Sequence, residues 1–268
     1  MLKLSIVIPA YNEGSCITTT IQALQEKLTQ EKIPHEIIVV NDNSQDDTEA
    51  VLIQLCKTIN TLSYYNNEFP SGFGYAVRYG LEKFTGDCVA IMMADLSDSP
   101  EDLVLFYRTM VSENVDCVFG SRFIKGGRIY DYPRVKLLIN RIVNNMIKVA
   151  LGMRYNDATN AFKLYTKDAI EGIQPLLAPH FNLTIELSLK AIVRGYSYKV
   201  VPNSWRNRKT GESKLKIKEM GSRYLFILLY VMIEKFFSKN DFKKSTNIEI
   251  KLTENGFKNR RIDLINVS

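Results

Sequence analysis

Up to Gly120, short β-branched apolar runs alternate with stretches whose apolar positions recur every three or four residues. Ser5–Ile8, Ile37–Val40 and Val89–Met93 are short, nearly continuous in apolar character and rich in Val and Ile, which predicts buried strands. Between them, Gly14–Gln30 sets Ile17, Ile21, Leu24 and Leu28 at helical spacing, with Ser15 as N-cap. Asp46–Asn60 repeats the pattern with Val51, Leu55 and Ile59, and acidic residues fill its first turn. Leu62–Tyr65 predicts a third strand and Gly74–Phe84 a third helix. Ser99–Asn114 is the best-marked helix: Ser99 caps it, Pro100 takes the first helical position, and Asp102 stands at capping-box spacing. Val115–Phe119 returns as a strand. Alternation of this kind predicts an α/β fold, a mostly parallel central sheet covered by helices on both faces.

After Gly120 the rhythm breaks. Lys125–Tyr132 reads as a polar loop and Val135–Leu151 as a long amphipathic helix. Ala161–Tyr165 and Tyr196–Val201 predict strands flanking a helix at Leu183–Arg194. Leu215–Phe237 is helical in pattern, but its apolar stretch Tyr224–Phe237 contains Glu234 and Lys235. A bilayer span needs about 20 predominantly apolar residues, so this stretch predicts a helix lying at an interface or packed on the protein. The chain thus divides into a catalytic-type α/β unit over 1–212, an amphipathic helix over 213–238 and a polar tail over 239–268.

Charge sharpens this division. The chain of 268 residues carries a formal +6, yet Arg206–Lys244 holds eleven Lys/Arg against four Asp/Glu, so the remainder is close to neutral. The basic segment is interleaved with apolar residues, which suits an anionic membrane surface better than a nucleic-acid groove. Cys16, Cys56, Cys88 and Cys117 lack metal-like spacing, and two of them fall in buried strands, so they read as core thiols of a reducing compartment. His35 and His180 are the only histidines, which argues against a His-based zinc site or a Ser-His-Asp triad. Met1–Leu4 runs straight into a strand, and a cytoplasmic location, peripheral to the inner face of the cytoplasmic membrane, is the expectation.

The candidate chemistry lies where the strands end. Pro9–Ala10–Tyr11–Asn12–Glu13, Asn41–Asp42–Asn43–Ser44 and Ala94–Asp95–Leu96–Ser97–Asp98 each follow a predicted strand. Ligands bind in the crevice at the carboxyl ends of parallel strands. Tyr11 can flank a base or ribose and Glu13 accept from a ribose hydroxyl, or the run is a plain turn. Asp42 can accept from a base edge, or belong to an Asx turn. Asp95, with Ser97 or Asp98, can hold Mg²⁺ or Mn²⁺ on a diphosphate, although Asp98 also suits an ordinary helix entry. Arg206, Arg208, Ser213 and Lys214, joined by Arg122 and Arg134, can surround a phosphate or form a solvated basic surface. Glu186 is either a general base or a glutamate on a helix surface.

The order of these motifs from Leu4 to about Lys214 resembles the inverting family 2 glycosyltransferases of GT-A fold. The resemblance is strongest to the dolichyl- or polyprenyl-phosphate sugar (mannosyl) transferases. It is carried by Ile6–Glu13, Val39–Ser44, the glycines of Ser71–Gly80, Ala94–Ser97, Gly120–Arg122, Asp157–Phe162 and Trp205–Lys214. It implies a nucleotide-sugar donor, GDP- or UDP-linked, held by Pro9, Ala10, Tyr11, Glu13, Asp42, Gly72, Ala94 and Asp95. It further implies a polyprenyl-phosphate acceptor oriented by Arg122, Arg134, Arg208, Ser213 and Lys214, with Asp95, Arg122 and Glu186 as the catalytic set. Met93 stands where the family's first metal-motif Asp lies, and a thioether is a poor partner for Mg²⁺. Metal binding is therefore expected to rest on Asp95 with Ser97 or Asp98. Asn160–Ala161 replaces the family's Ser-Gly, at a motif tied to the acceptor. Transfer to a carbohydrate hydroxyl, and a nucleotide-binding homologue without turnover, are the alternatives.

Overall fold

A computed structural model describes residues 1–207 and 217–244. The chain runs β1 (Leu4–Ala10), α1 (Ile17–Gln30), β2 (His35–Asn41), α2 (Thr48–Thr58), β3 (Leu62–Asn66), α3 (Phe73–Lys83), β4 (Cys88–Ile91) and α4 (Pro100–Glu113). It continues with β5 (Cys117–Ser121), β6 (Arg128–Tyr130), α5 (Arg134–Leu151), β7 (Lys163–Thr166), α6 (Lys167–Gly172), α7 (Leu183–Val193), β8 (Tyr198–Pro202), β9 (Ser204–Arg206) and α8 (Ile217–Phe237).

Seven strands form one sheet in the order β3-β2-β1-β4-β7-β5-β8. β1, β2, β3 and β4 run parallel to one another, as the alternation predicts. The sheet is mostly parallel, as expected, with β5 and β8 also parallel, and its one antiparallel member is β7, which runs against both β4 and β5. It enters after α5, outside the strand–helix alternation, and fills the gap between β4 and β5. Strand alternation sends successive side chains to opposite faces, and each face has its own apolar cluster. Val7, Val40 and Val89 pack toward α3, α7 and α8, while Ile6, Ile8 and Val39 pack toward α1 and α4. Gly80 on α3 is set by this packing, because a Cβ there would stand 2.4 Å from Val7 Cγ1.

Three local expectations are corrected. Cys16, not Ser15, occupies the N-cap of α1, and no side chain caps that helix. Ser99 caps α4 as expected, accepting from the Glu101 and Asp102 N–H groups. The Asp102 carboxylate, however, turns outward and accepts from the N–H and hydroxyl of Ser204 at 2.7 and 2.8 Å. The loop read at Lys125–Tyr132 contains β6, which pairs in parallel with β9 and ties the two loops together. None of the four cysteines is in a disulfide. Burial pushes the Cys88 thiol up to about 12, so it stays protonated at neutral pH.

Arg194 and Glu234, both buried, anchor α8 to α7 through two hydrogen bonds of 2.7 and 2.9 Å. Lys244 extends this contact: its N–H donates to the Arg194 carbonyl and its ammonium pairs with Asp116 at 2.8 Å. The boundary expected at 212/213 and the tail beyond Lys244 lie outside the described residues. No helix among the described residues is long and apolar enough to cross a membrane.

Candidate active site

β1 lies between β2 and β4, with Ala10 opposite Asn41 and Val7 opposite Ile91. The runs carrying Glu13, Asp42 and Asp95 therefore leave one edge of three adjacent strands, spaced about 5 Å apart. Each turns through one residue of positive φ: Asn12 at 54°, Asn43 at 59° and Leu96 at 53°. Asn tolerates the left-handed region, but Leu does not, so the Leu96 turn stores about 1–2 kcal/mol of strain. That turn brings the Ser97 N–H to 3.0 Å from Asp95 Oδ1.

The three loops are knitted to one another. The Asn12 N–H donates to Ser44 Oγ at 3.0 Å, and Asn12 Oδ1 accepts from Gln45 at 2.7 Å. The Glu13 N–H donates to the Thr48 hydroxyl at 2.9 Å. On the other flank, the Thr20 hydroxyl donates to the Ala94 carbonyl at 2.6 Å, holding the β4 loop against α1. Pro9 and Ala10 are buried in β1, whereas Tyr11 is exposed at the rim. The buried Asp42 carboxylate accepts from Asn67 at 2.7 Å and from the Gly72 N–H at 2.8 Å. A Cβ on Gly72 would fall 2.6 Å from the Pro179 carbonyl, so only glycine lets that N–H reach Asp42. The loop is held instead through its neighbour, Asn41, whose Oδ1 accepts from the Ser44 N–H at 3.2 Å.

Asp98 is the unusual member of the site. It is buried, and its Oδ1 has no hydrogen-bond partner among the described residues. A short bridge to Trp205 covers it, and the Ser97 carbonyl accepts from the Arg206 N–H at 3.0 Å. Burial, reinforced by the Asp95 charge, opposed by Arg122 and reinforced again by Asp102, pushes Asp98 up to about 7. A buried carboxylate oxygen without a partner is costly unless a ligand completes it. Asp95, Asp98 and Ser97 offer hard oxygen donors, which fit a divalent cation such as Mg²⁺ or Mn²⁺. No group of three or more His, Cys, Asp or Glu among the described residues is arranged to hold a metal. The protein would thus supply one or two carboxylates, leaving other positions to water and to phosphate oxygens.

This gives a stability prediction. Asp98 is held at about 7 in the folded chain against about 4 in the unfolded one. Between those values the folded chain retains a proton that the unfolded chain has lost, so stability falls as pH rises through the window. Asp98→Asn is expected to raise metal-free stability by up to about 4 kcal/mol above pH 7 and by little at pH 4. Thermal melts at the two pH values check this, and an equal effect at both would refute it.

Arg122 follows β5 and is almost wholly buried. Its Nε and one terminal nitrogen grip Asp157 at 2.9 and 2.7 Å, and its backbone N–H reaches the same carboxylate at 3.0 Å. Burial works against the guanidinium charge, but Asp157 outweighs it and the pKa is raised. Asp157 stood within a recognised motif without a role of its own; its partnership with Arg122 has no local sequence signal, the two being far apart in the chain. Lys163 donates to the Ala158 and Thr184 carbonyls and to Ser188, at 2.7, 2.5 and 3.0 Å, and so fixes the Asp157 loop to α7. The Asn160 amide bridges the Gly120 carbonyl and Asn203, both at 3.0 Å.

Glu186 is neither on a helix surface nor open to a ligand. It is fully buried, its two oxygens accept from the Leu177 and Ala178 N–H groups at 2.8 and 2.7 Å, and Lys190 pairs with it at 2.7 Å. Its carboxylate organises the loop before α7, which corrects both sequence readings. Arg134 is exposed at the start of α5. Arg208, Ser213 and Lys214 lie outside the described residues.

Comparison with known proteins places this arrangement. The family described as "Glycosyl transferase family 2" matches residues 5–173. A dolichol-phosphate mannosyltransferase of Pyrococcus furiosus is 28% identical over 221 residues, covering 81% of this chain and 60% of that protein. Glycosyltransferase AglD of Haloferax volcanii is 25% identical over 232 residues, covering 84% of this chain and 36% of that one. The chain therefore spans less than two thirds of the length of either curated relative. Among solved structures, glucosyl-3-phosphoglycerate synthase of Mycobacterium tuberculosis, with Mn²⁺, UDP-glucose and phosphoglyceric acid, superimposes with a TM-score of 0.66. That likeness, at 20% identity over 86% of this chain and 80% of the other, shows the GT-A fold.

Proposed function

The chain belongs to glycosyl transferase family 2, and from that membership we propose that it moves a sugar from a nucleotide-sugar donor to a polyprenyl phosphate, with inversion. The observation that carries the reading is the buried, incomplete carboxylate of Asp98 beside Asp95 at the common strand edge. The donor's nucleotide lies along Pro9–Glu13 and Asp42, with Gly72 and Ala94 lining the approach. Breaking the sugar–oxygen bond places further negative charge on the departing diphosphate. A divalent cation held by Asp95 and Asp98, with Ser97 beside them, would supply charge neutralisation there. Arg122, kept charged and oriented by Asp157, adds a fixed positive field in a water-poor setting.

A phosphate acceptor is already ionised and needs no protein base. Its oxygen attacks the anomeric carbon opposite the leaving diphosphate, and positioning does most of the work. Arg134, with Arg208, Ser213 and Lys214, orients that phosphate. The enclosure of Glu186 supports this acceptor over a carbohydrate hydroxyl, which would call on a free carboxylate. The relative from Pyrococcus furiosus is named for dolichol phosphate, and the M. tuberculosis neighbour binds UDP and Mn²⁺, which supports the lipid, donor and metal classes in turn. The protein works at the inner face of the cytoplasmic membrane.

Incubating the full chain with membrane extract, Mg²⁺ or Mn²⁺ and labelled UDP- or GDP-sugars is expected to yield a label extractable with lipid. Label appearing only in water-soluble carbohydrate would favour the hydroxyl acceptor, and no incorporation from any donor would refute transfer.

A further inference from the structure

Glu186, Lys190 and Arg194, spaced four residues apart along α7 and its C-cap, are buried together and face the segment that precedes the helix. They hold only its backbone. The Arg194 guanidinium donates to the Gly172 and Gln174 carbonyls at 2.9 and 2.7 Å, and the Lys190 ammonium donates to the Pro175 carbonyl. The Glu186 carboxylate accepts from the Leu177 and Ala178 N–H groups at 2.8 and 2.7 Å, and Lys190 neutralises it at 2.7 Å. Burying such a pair seldom adds net stability over apolar side chains of the same volume, so its presence calls for a geometric reason.

The next residue of that segment supplies one. The Pro179 carbonyl accepts from the Gly74 and Tyr75 N–H groups at 3.0 and 3.3 Å, at the start of α3, where a helix leaves its N–H groups without partners of its own. Phe181 stacks on Phe73 with ring centroids 4.4 Å apart and closes the same contact. Just before Phe73, the Gly72 N–H donates to Asp42 at 2.8 Å. There is no slack between these layers. A Cβ on Gly74 would stand 2.4 Å from the Ala178 carbonyl oxygen, and one on Gly72 would stand 2.6 Å from that of Pro179. A movement of the Leu177–Pro179 backbone therefore passes directly to Gly72 and to the carboxylate of Asp42.

We infer that Glu186 is a positioning residue for the donor: it fixes the Leu177–Pro179 backbone, which seats Gly72 against Asp42 and so shapes the pocket for the donor's nucleotide. This role rests on the proposed donor site at Asp42, and it adds to that site a residue of α7 that touches neither substrate. Glu186 lies in the first turn of α7, where the helix N-terminus favours a carboxylate, yet both its oxygens serve the preceding segment rather than its own helix. A nucleotide meets a carboxylate and a backbone N–H already oriented for it, so loosening the segment lowers binding before it slows chemistry. Arg122 is held by Asp157, and Asp95 by the Ser97 N–H, neither of them through this segment. Turnover is therefore expected to survive the loss of Glu186.

Titration calorimetry of the full chain with UDP and with GDP, in Mg²⁺ or Mn²⁺, and steady-state transfer kinetics test it. E186Q presents an amide NH₂ to one of the two N–H groups. It is expected to weaken nucleotide binding and raise donor KM by roughly tenfold, with kcat within about twofold of wild type. A merely structural role predicts the reverse, a smaller active fraction with KM unchanged. E186Q/K190M, which also removes the ammonium left unpaired, should regain thermal stability but not donor affinity. G74A pushes on Ala178 from the other side and should weaken nucleotide binding as E186Q does, with Glu186 intact. Exchange of the Gly72 and Gly74 amide hydrogens should quicken in E186Q. A wild type that binds UDP or GDP, with E186Q binding it equally well, would overturn the inference and leave the transfer reading standing. So would full recovery of donor affinity in E186Q/K190M, or unaltered exchange at Gly72 and Gly74. A wild type that binds neither nucleotide would refute the donor site itself, and this role with it.

Discussion

Asp95→Asn is expected to lower sugar transfer by about 10²–10³-fold, a loss on the order of 3–4 kcal/mol in transition-state stabilisation. Asp95 leaves the end of β4 through the strained Leu96 turn, and its Oδ1 is oriented by the Ser97 N–H. Its neighbour Asp98 is buried and pushed up to about 7, whereas Asp95 is only half-buried and so the more open of the two to a ligand. Removing the Asp95 charge would weaken the hold on the divalent cation proposed to neutralise the leaving diphosphate. The defect should therefore appear in turnover more than in donor affinity, and raising Mg²⁺ or Mn²⁺ should recover part of it. Steady-state kinetics across a metal titration would show this. A variant retaining most of its turnover at low metal would remove Asp95 from the reaction.

The second large effect is on stability. Asp157→Ala is expected to cost about 3–5 kcal/mol, because it leaves the buried Arg122 guanidinium without its carboxylate. For a chain of this size each kcal/mol moves the midpoint by about 2–4 °C, so the thermal midpoint should fall by about 10 °C. Two side-chain hydrogen bonds and one backbone bond are lost together. The paired change R122M/D157L should recover much of the loss, since a buried ion pair replaced by apolar groups of similar volume is often near neutral. It should not recover transfer, because the positive field of Arg122 goes with it. Melting curves of the single and double variants check the first claim. If the double variant were as unstable as Asp157→Ala, the damage would lie in the loop itself rather than in an orphaned charge.

Much of the strand edge that brings the candidate site together was legible from local pattern. The strands carrying Ile6–Ile8, Ile37–Val40 and Val89–Ile91 are apolar runs flanked by helical periodicity, and parallel strands must deliver their following loops to one edge. Ser99 and Pro100 marked the start of α4 because a helix terminus is satisfied by residues next to it in sequence. Asp102 shows the limit of such reading. Its position suits a capping box, yet its carboxylate goes to Ser204, a partner 102 residues away. The antiparallel entry of β7 was hidden for the same reason: strand direction is fixed by what the preceding loop and α5 do in space.

The sequence by itself determined the alternating architecture and the three acidic runs at the strand ends, because period and capping are properties of neighbours along the chain. Only the tertiary structure decided which side of each amphipathic helix meets protein. Periodicity shows that α5 has two faces, but not that Asn144 turns inward while Val135 and Val149 turn out. It also decided that Glu186 and Asp98 are buried, the first enclosed by N–H donors and Lys190, the second left with an unfilled oxygen. Burial depends on what arrives from elsewhere in the chain, and it is burial that separates a carboxylate held for structure from one kept ready for a ligand.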